Sequence, residues 1–209
     1  MTVPPGRATI VPMSQKFFAV ISRMKYINRW ALMRNTISEN ISEHSLETAF
    51  IAHALALIRN RRFGGKANAE RAALLAMYHD ATEIITGDLP TPVKYYNVEM
   101  RDIYGQIEHT ATAQLLGYLP DDLRQDYESL LGYGETNEED SALWPLVKAA
   151  DKLSALIKCL EERRMGNDDF QSAEKATLAA IHALALPEAE VFLEEFIPAY
   201  SLTLDEQAK

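Results

Sequence analysis

An all-α bundle of about eight helices is the fold class that the sequence predicts. Alanine, leucine, glutamate and methionine are common throughout, and such residues give up little side-chain freedom in a helix. Apolar residues recur at helical spacing, while no alternating run of four or more residues argues for a strand. Glycines fall where the periodic segments end.

The first helix is expected over residues 14–30, with Phe17, Phe18, Ile21, Met24 and Ile27 as its apolar residues. The second, 42–62, ends before Gly64 and Gly65. The third, 68–86, stops at Gly87, and the loop GDLPTP separates it from a fourth over 98–116. Pro120 suits the start of a short fifth helix, with Asp121 and Asp122 in its first turn at the positive end of the helix dipole. After the polar break YGETNEED a sixth helix is expected over 141–164, which leaves Pro145 in the first turn, where a missing N–H is tolerated. Two shorter helices, 169–184 and 187–196, complete the set.

With 209 residues, 47% of them hydrophobic, the chain can bury a full core, and one domain is expected over 14–209 behind a loose extension of residues 1–13. The single cysteine, Cys159, excludes an intrachain disulfide and fits a reducing compartment. No stretch approaches the roughly 18 apolar residues that span a bilayer. The N-terminal residues carry three prolines and a glycine where a secretory signal needs an unbroken apolar region, so the expected location is the cytoplasm, with no membrane partner. A net charge of −9 works against binding a nucleic acid polymer but leaves a mononucleotide open, because a few cations in a pocket act at short range.

Projected on a helical wheel, the third helix shows an apolar stripe of Leu74, Met77, Tyr78, Ala81, Ile84 and Ile85. His79, Asp80 and Glu83 share the opposite arc, with the small Ala76 among them. A shared site and a solvated polar face both produce that pattern. The second helix is apolar on two sides, Leu46, Phe50, His53 and Leu57 on one and Ile51, Leu55 and Ile58 on the other, and is therefore expected to be central and buried. His44 lies with the second set, where a polar group needs a partner; a hydrogen-bonded core histidine and a metal ligand both satisfy that. Asp151 falls opposite the Leu146, Leu153, Ile157 and Leu160 stripe of the sixth helix, which periodicity alone makes exposed. His109 and His182 have nothing clustered nearby and read as surface residues.

His44, the His79-Asp80 doublet and Asp151 supply two imidazoles and two carboxylates from separate helices. Such a set suits one divalent ion of Mn, Fe, Co, Ni, Zn or Cu and leaves positions for water and a phosphate oxygen. A lone His-Asp pair is a weak signal in a chain with five histidines; the order H…HD…D is stronger. That order on an all-α bundle resembles the HD-domain metal-dependent phosphohydrolases, and most closely the bacterial YfbR-type 5′-deoxynucleotidases. The stretches INRWALMRN, ENISEHS, LLAMYHDATEIITGDLPTPVKYY and LVKAADKLSALIKCLEE carry the resemblance.

The resemblance implies a homodimer that hydrolyses deoxyribonucleoside 5′-monophosphates to deoxynucleoside and phosphate. It implies His44, His79, Asp80 and Asp151 as metal ligands, Glu83 as the carboxylate acting on water or the leaving group, and Arg29, Trp30 and Asp88 as substrate contacts. Arg29 has a planar fork of donors suited to phosphate, and Trp30 a flat wall for sugar or base. Asp88, stiffened by Pro90 and Pro92, is expected to read the sugar edge, and Lys94 offers a further positive charge. The rival readings are a hydrolase for another phosphate ester, a non-catalytic nucleotide sensor or scaffold that keeps the metal, and a plain helical interaction module.

Overall fold

The computed structural model describes residues 16–94, 96–134 and 137–208. The extension expected over 1–13 and the first two residues of the first predicted helix lie outside that set. Among the described residues all regular structure is helical, apart from one isolated bridge between Asn28 and Asn40.

Two long helices form the axis of the molecule, α2 (Ile41–Arg62) and α8 (Glu138–Arg164), and α3 (Ala69–Tyr78) packs against both. Each begins at an asparagine whose side chain accepts backbone N–H groups of the first turn: Asn40 from Ser42 and Glu43, Asn68 from Arg71, and Asn137 from Asp140. At Asn40 the Glu43 carboxylate returns the bond to the backbone N–H, closing a capping box. A cap of this kind stabilises a helix by about 1 kcal/mol. The core between the three helices is rich in alanine, with Ala49, Ala52, Ala56, Ala72, Ala76, Ala149 and Ala150 buried beside Leu55, Leu75 and Leu153. Small faces let the helix axes approach closely. Arg71 of α3 clamps the buried Asp140 of α8 with two bonds of 2.7 Å, one to each oxygen.

Around this axis lie α1 (Phe17–Ile21), α4 (Glu83–Thr86), α5 (Thr91–Lys94), α6 (Val98–Leu116), α7 (Asp121–Glu128), α9 (Gln171–Ala183), α10 (Pro187–Glu195) and α11 (Leu204–Gln207). A second cluster of Phe17, Ala81, Leu115, Leu116, Leu119 and Leu131 joins α1 and α6 to the turn after α3.

All eight predicted helices have counterparts, with four corrections. The first does not reach Trp30: α1 gives way to a 3₁₀ turn over Ser22–Tyr26, and Ile27 is extended. There the Arg29 N–H bonds to the Glu39 carbonyl at 2.9 Å and the Ile41 N–H to the Ile27 carbonyl at 3.0 Å, so pairing with the approach to α2 replaces helical bonds. The third predicted helix breaks at Tyr78 into a turn over 79–82 before α4. The sixth starts three residues early, at Glu138, because Asn137 is its cap, and Pro145 therefore sits inside the helix. Part of the apolar set on the wheels also faces outward: Leu46, Phe50 and Leu57 of α2, and Leu74 and Met77 of α3, are exposed, while Ile51, Leu55 and Ile58 of α2 are buried as expected. The supposed polar arc of α3 is the inner one, since its small residues are what the neighbouring helices accept.

Candidate active site

The break after Tyr78 sets the site. His79 caps the C-terminus of α3, and the turn that follows aims it, Asp80 and then Glu83 at the junction of α2 and α8. His44, in the first turn of α2, is fully buried there. Its Nε2 lies 3.2 Å from Asp151 Oδ1 and 3.5 Å from Asp80 Oδ2. His79 Nε2 lies 3.1 Å from Asp80 Oδ2 and 4.0 Å from Asp151 Oδ1. Four side chains from three parts of the sequence thus converge, as expected. Asp151 is half-buried rather than exposed, because its neighbours on α8, Val147, Ser154 and Ala155, admit α2 beside it.

The donor set fits a cation. His79 Nδ1 lies 2.7 Å from the Ala76 carbonyl, to which it can only donate, and this leaves Nε2 as a bare lone pair. That atom is buried and has no hydrogen-bond partner; its near neighbours are carboxylate oxygens. Ligand atoms of His44, His79 and Asp151 all lie within 4.8 Å of one another, with Asp80 alongside. Acceptors gathered this way need a proton or a metal ion between them. Burial lowers the His79 pKa, yet Asp80 and Asp151 outweigh it and hold the imidazole well above its ordinary value. Burial raises the Asp151 pKa, and the two histidines pull it well below the usual carboxylate range. Both shifts describe a site that attracts positive charge.

Glu83 opens α4 and is buried, with Oε2 unpartnered. Burial first, then the charges of Asp80 and Asp88, pushes its pKa up to about 9. Arg29 reaches the same centre, its Nη2 3.9 Å from Asp151 Oδ1. Asp88 Oδ2 accepts the Trp30 backbone N–H at 3.0 Å, leaving its other oxygen unassigned. Trp30 is in the left-handed region at φ 60°, and Asn35 donates to its carbonyl at 3.2 Å. Lys94 is turned toward Glu108, to which it donates at 2.8 Å. A cleft of about 530 Å³, walled by Trp144, Pro145, Val147 and Leu184, leads from the surface to His79 and Asp151.

Sequence reasoning missed Glu39. One oxygen of its carboxylate accepts from Arg29 Nη1 at 2.8 Å and from Trp30 Nε1 at 3.0 Å, so a single group sets both side chains. Its only signal was its place immediately before the cap of α2 in ENISEH. Glu162 was also missed. It accepts the backbone N–H of Thr36 at 2.9 Å and of Ile37 at 3.2 Å, the Asn167 amide at 2.7 Å, and the Lys158 ammonium. This fastens the loop between Trp30 and Glu39 to α8.

The fold is that of the HD-domain phosphohydrolases. An HD-domain phosphohydrolase from Listeria innocua superposes with a TM-score of 0.75 at 22% identity, covering 93% of this chain and 92% of that one. The HD phosphohydrolase DatZ of cyanophage S-2L, solved bound to dA and one catalytic Zn²⁺ ion, superposes with a TM-score of 0.60 at 17% identity, covering 86% and 95%. Within that class the chain belongs to the family described as 5′-deoxynucleotidase YfbR-like, which matches residues 16–200. A 5′-deoxynucleotidase of Yersinia pestis (strain Pestoides F) is 52% identical over 190 residues, 91% of this chain and 95% of the relative.

Proposed function

We propose that the protein hydrolyses deoxyribonucleoside 5′-monophosphates to deoxynucleoside and phosphate and selects against ribonucleotides. The observation that carries the reading is the convergence of His44, His79, Asp80 and Asp151, with an unpartnered buried nitrogen at its centre, beside Arg29 and a buried Glu83. The 52% identical relative named for this activity supports the substrate class.

His44, His79, Asp80 and Asp151 would hold a divalent ion, which would supply Lewis-acid polarisation of the phosphate and a more acidic water. The residues do the rest. Arg29, held by Glu39 through Nη1, presents its Nη2 beside Asp151 to the phosphate oxygens. The reaction forms a bond from water oxygen to phosphorus and breaks the bond to the 5′ oxygen. That oxygen leaves with a proton donated by Glu83, whose burial favours the acid form, and the proton given up by the attacking water restores the Glu83 carboxyl. Asp88 turns its second oxygen toward the sugar, where a 3′-hydroxyl donates to it and a 2′-hydroxyl crowds it. Trp30, backed by the fully buried Phe170 ring 5.3 Å away, forms the apolar wall.

The working unit in this reading is a homodimer. Its support is the exposed apolar ridge of α2, where Phe50 is 66% and Leu46 49% exposed, a surface that a single subunit leaves to water. The cytoplasm suits the buried free thiol of Cys159, and no helix among the described residues is long and apolar enough to cross a membrane. The test is phosphate release from a panel of deoxy- and ribonucleoside mono- and triphosphates, with Mn²⁺, Co²⁺ and Zn²⁺ supplied in turn. Deoxymonophosphates should be cleaved fastest and only with metal; equal turnover after chelation would refute the reading.

A further inference from the structure

The two imidazoles of the metal cradle are anchored differently. His79 is fixed by a backbone carbonyl, which no side-chain substitution removes. His44 Nδ1 faces a side chain instead, Ser154 Oγ at 3.0 Å. Ser154 is fully buried on α8, one turn beyond Asp151, and it in turn donates to Glu47 Oε2 at 2.6 Å. Glu47 lies one helical turn after His44 on α2 and lines a solvent cavity of about 220 Å³ with Glu39, Glu43 and Glu161.

A count of protons gives this chain a direction. A serine hydroxyl carries one hydrogen, and the short bond to Glu47 uses it. Toward His44, Ser154 can then only accept, so the imidazole hydrogen must sit on Nδ1. The lone pair is left on Nε2, the atom that faces Asp80 and Asp151. On the Nε2 side the competing acceptors are Asp151 Oδ1 at 3.2 Å and Asp80 Oδ2 at 3.5 Å, the same carboxylates that would share a cation with this nitrogen, while Thr48 Oγ1 is 3.5 Å away, at the limit of a hydrogen bond. Glu39 Oε1 lies 3.9 Å from Nδ1, too far to bond but of the sign that favours a hydrogen there.

We infer that Glu47 and Ser154 are positioning residues that lock His44 in its Nδ1–H tautomer and thereby strengthen metal binding at the cradle. The inference rests on the reading of His44 as a metal ligand. Groups that orient a ligating histidine in this way typically change metal affinity by about 10–100-fold.

The experiment uses the full chain stripped of metal. Nitrogen-15 imidazole spectra report the His44 tautomer, and chelator competition reports the affinity for Co²⁺ and for Zn²⁺. Ser154→Ala should move His44 toward a tautomer mixture and weaken both metals by about 10–100-fold. Glu47→Leu should do the same from the far end of the chain, while Glu47→Gln, which still offers an acceptor, should recover most of the affinity. His79 signals should not move in any of them. Each variant's helical circular dichroism is checked, and Glu47 variants, at a half-buried position, keep the test open if Ser154→Ala does not fold. Unchanged tautomer and affinity within about twofold in folded Ser154→Ala or Glu47→Leu would overturn the inference. Failure of the wild-type chain to bind either metal would instead sink the hydrolase reading, while a tautomer shift in the same samples would still support the proton assignment.

Discussion

At the scale of single residues, the site divides by what each group can do with a proton. His79, Asp80, Asp151 and His44 gather around a place for positive charge, while Glu83 keeps a proton of its own, its pKa pushed up to about 9 by burial and neighbouring carboxylates. Replacing Glu83 by Gln should keep the metal and the fold and lower kcat by about 10²–10⁴-fold, the usual worth of a general acid. Metal content by elemental analysis and kcat on dAMP, measured on one preparation, check both halves; a near-native rate would remove Glu83 from the chemistry. Asp88 has a different task, because one of its oxygens is already committed to the Trp30 N–H. In Asp88→Asn the amide oxygen can keep that bond, and the nitrogen replaces an acceptor by a donor at the sugar. The preference for dAMP over AMP in kcat/KM should shrink about tenfold, roughly the loss of one hydrogen bond to a charged group. An unchanged ratio would place discrimination elsewhere.

At the scale of elements, the segment between Trp30 and Glu39 is neither helix nor strand, and its order comes from Glu162. That carboxylate is 1% exposed, and although burial raises its pKa, the Lys158, Asn167 and backbone donors bring it down to about 2 from an ordinary 4.5. A depressed carboxylate contributes stability above its unfolded pKa and loses it as pH falls through the folded one. Part of the acid lability between about pH 4.5 and 2 should therefore belong to Glu162 and vanish in Glu162→Gln. That variant strands the buried Lys158 and should cost about 3–5 kcal/mol near neutrality, read from urea unfolding at several pH values. The anchoring of the loop was not legible in the sequence, because Glu162 reads as one more acidic residue of a helix end and the Thr36 and Ile37 N–H groups that it accepts lie more than a hundred positions away. The helices were legible from periodicity, and the convergence of His44, His79, Asp80 and Asp151 from a motif whose spacing survives on any backbone that brings three helices together. The inward face of α2, with His44, Ile51, Leu55 and Ile58, was legible; its outward face and the faces of α3 were not. A helical wheel weighs large apolar residues most, but these helices meet largely through alanines, so Leu74, Met77 and Phe50 went to the surface while Ala76 went in.

At the scale of the whole molecule, that inversion has consequences for assembly and for stability. The ridge of Leu46, Phe50 and Leu57 runs along an outer face of α2, the helix whose first turn carries His44. Phe50→Glu should convert a particle of twice the 23.5 kDa chain mass into one of that mass in light scattering, with helix content intact; a wild-type mass of one chain would dismiss the dimer. Stability is tied to this cluster because α2, the end of α3 and α8 each deliver an imidazole or a carboxylate to one point. Without a cation, His79 must take up a proton to sit 3.1–4.0 Å from the Asp80 and Asp151 carboxylates in the middle of that junction. Glu83 adds its own strain: a carboxyl whose folded pKa is raised favours the folded state less and less as pH climbs from the ordinary 4.5 toward about 9. A metal ion bound only by the folded chain opposes both effects. At a free concentration of 100 times Kd it stabilises by about 2.7 kcal/mol, which for a chain of this size is about 5–10 °C in Tm. Chelation should lower the wild-type Tm by that amount and leave Asp80→Ala unmoved, since it has lost a ligand. The metal-free wild type should also melt earlier at pH 9 than at pH 6, and Glu83→Gln should lose much of that difference. A wild-type Tm indifferent to chelation, in protein shown to carry metal beforehand, would mean that the ion does not hold the three helices together.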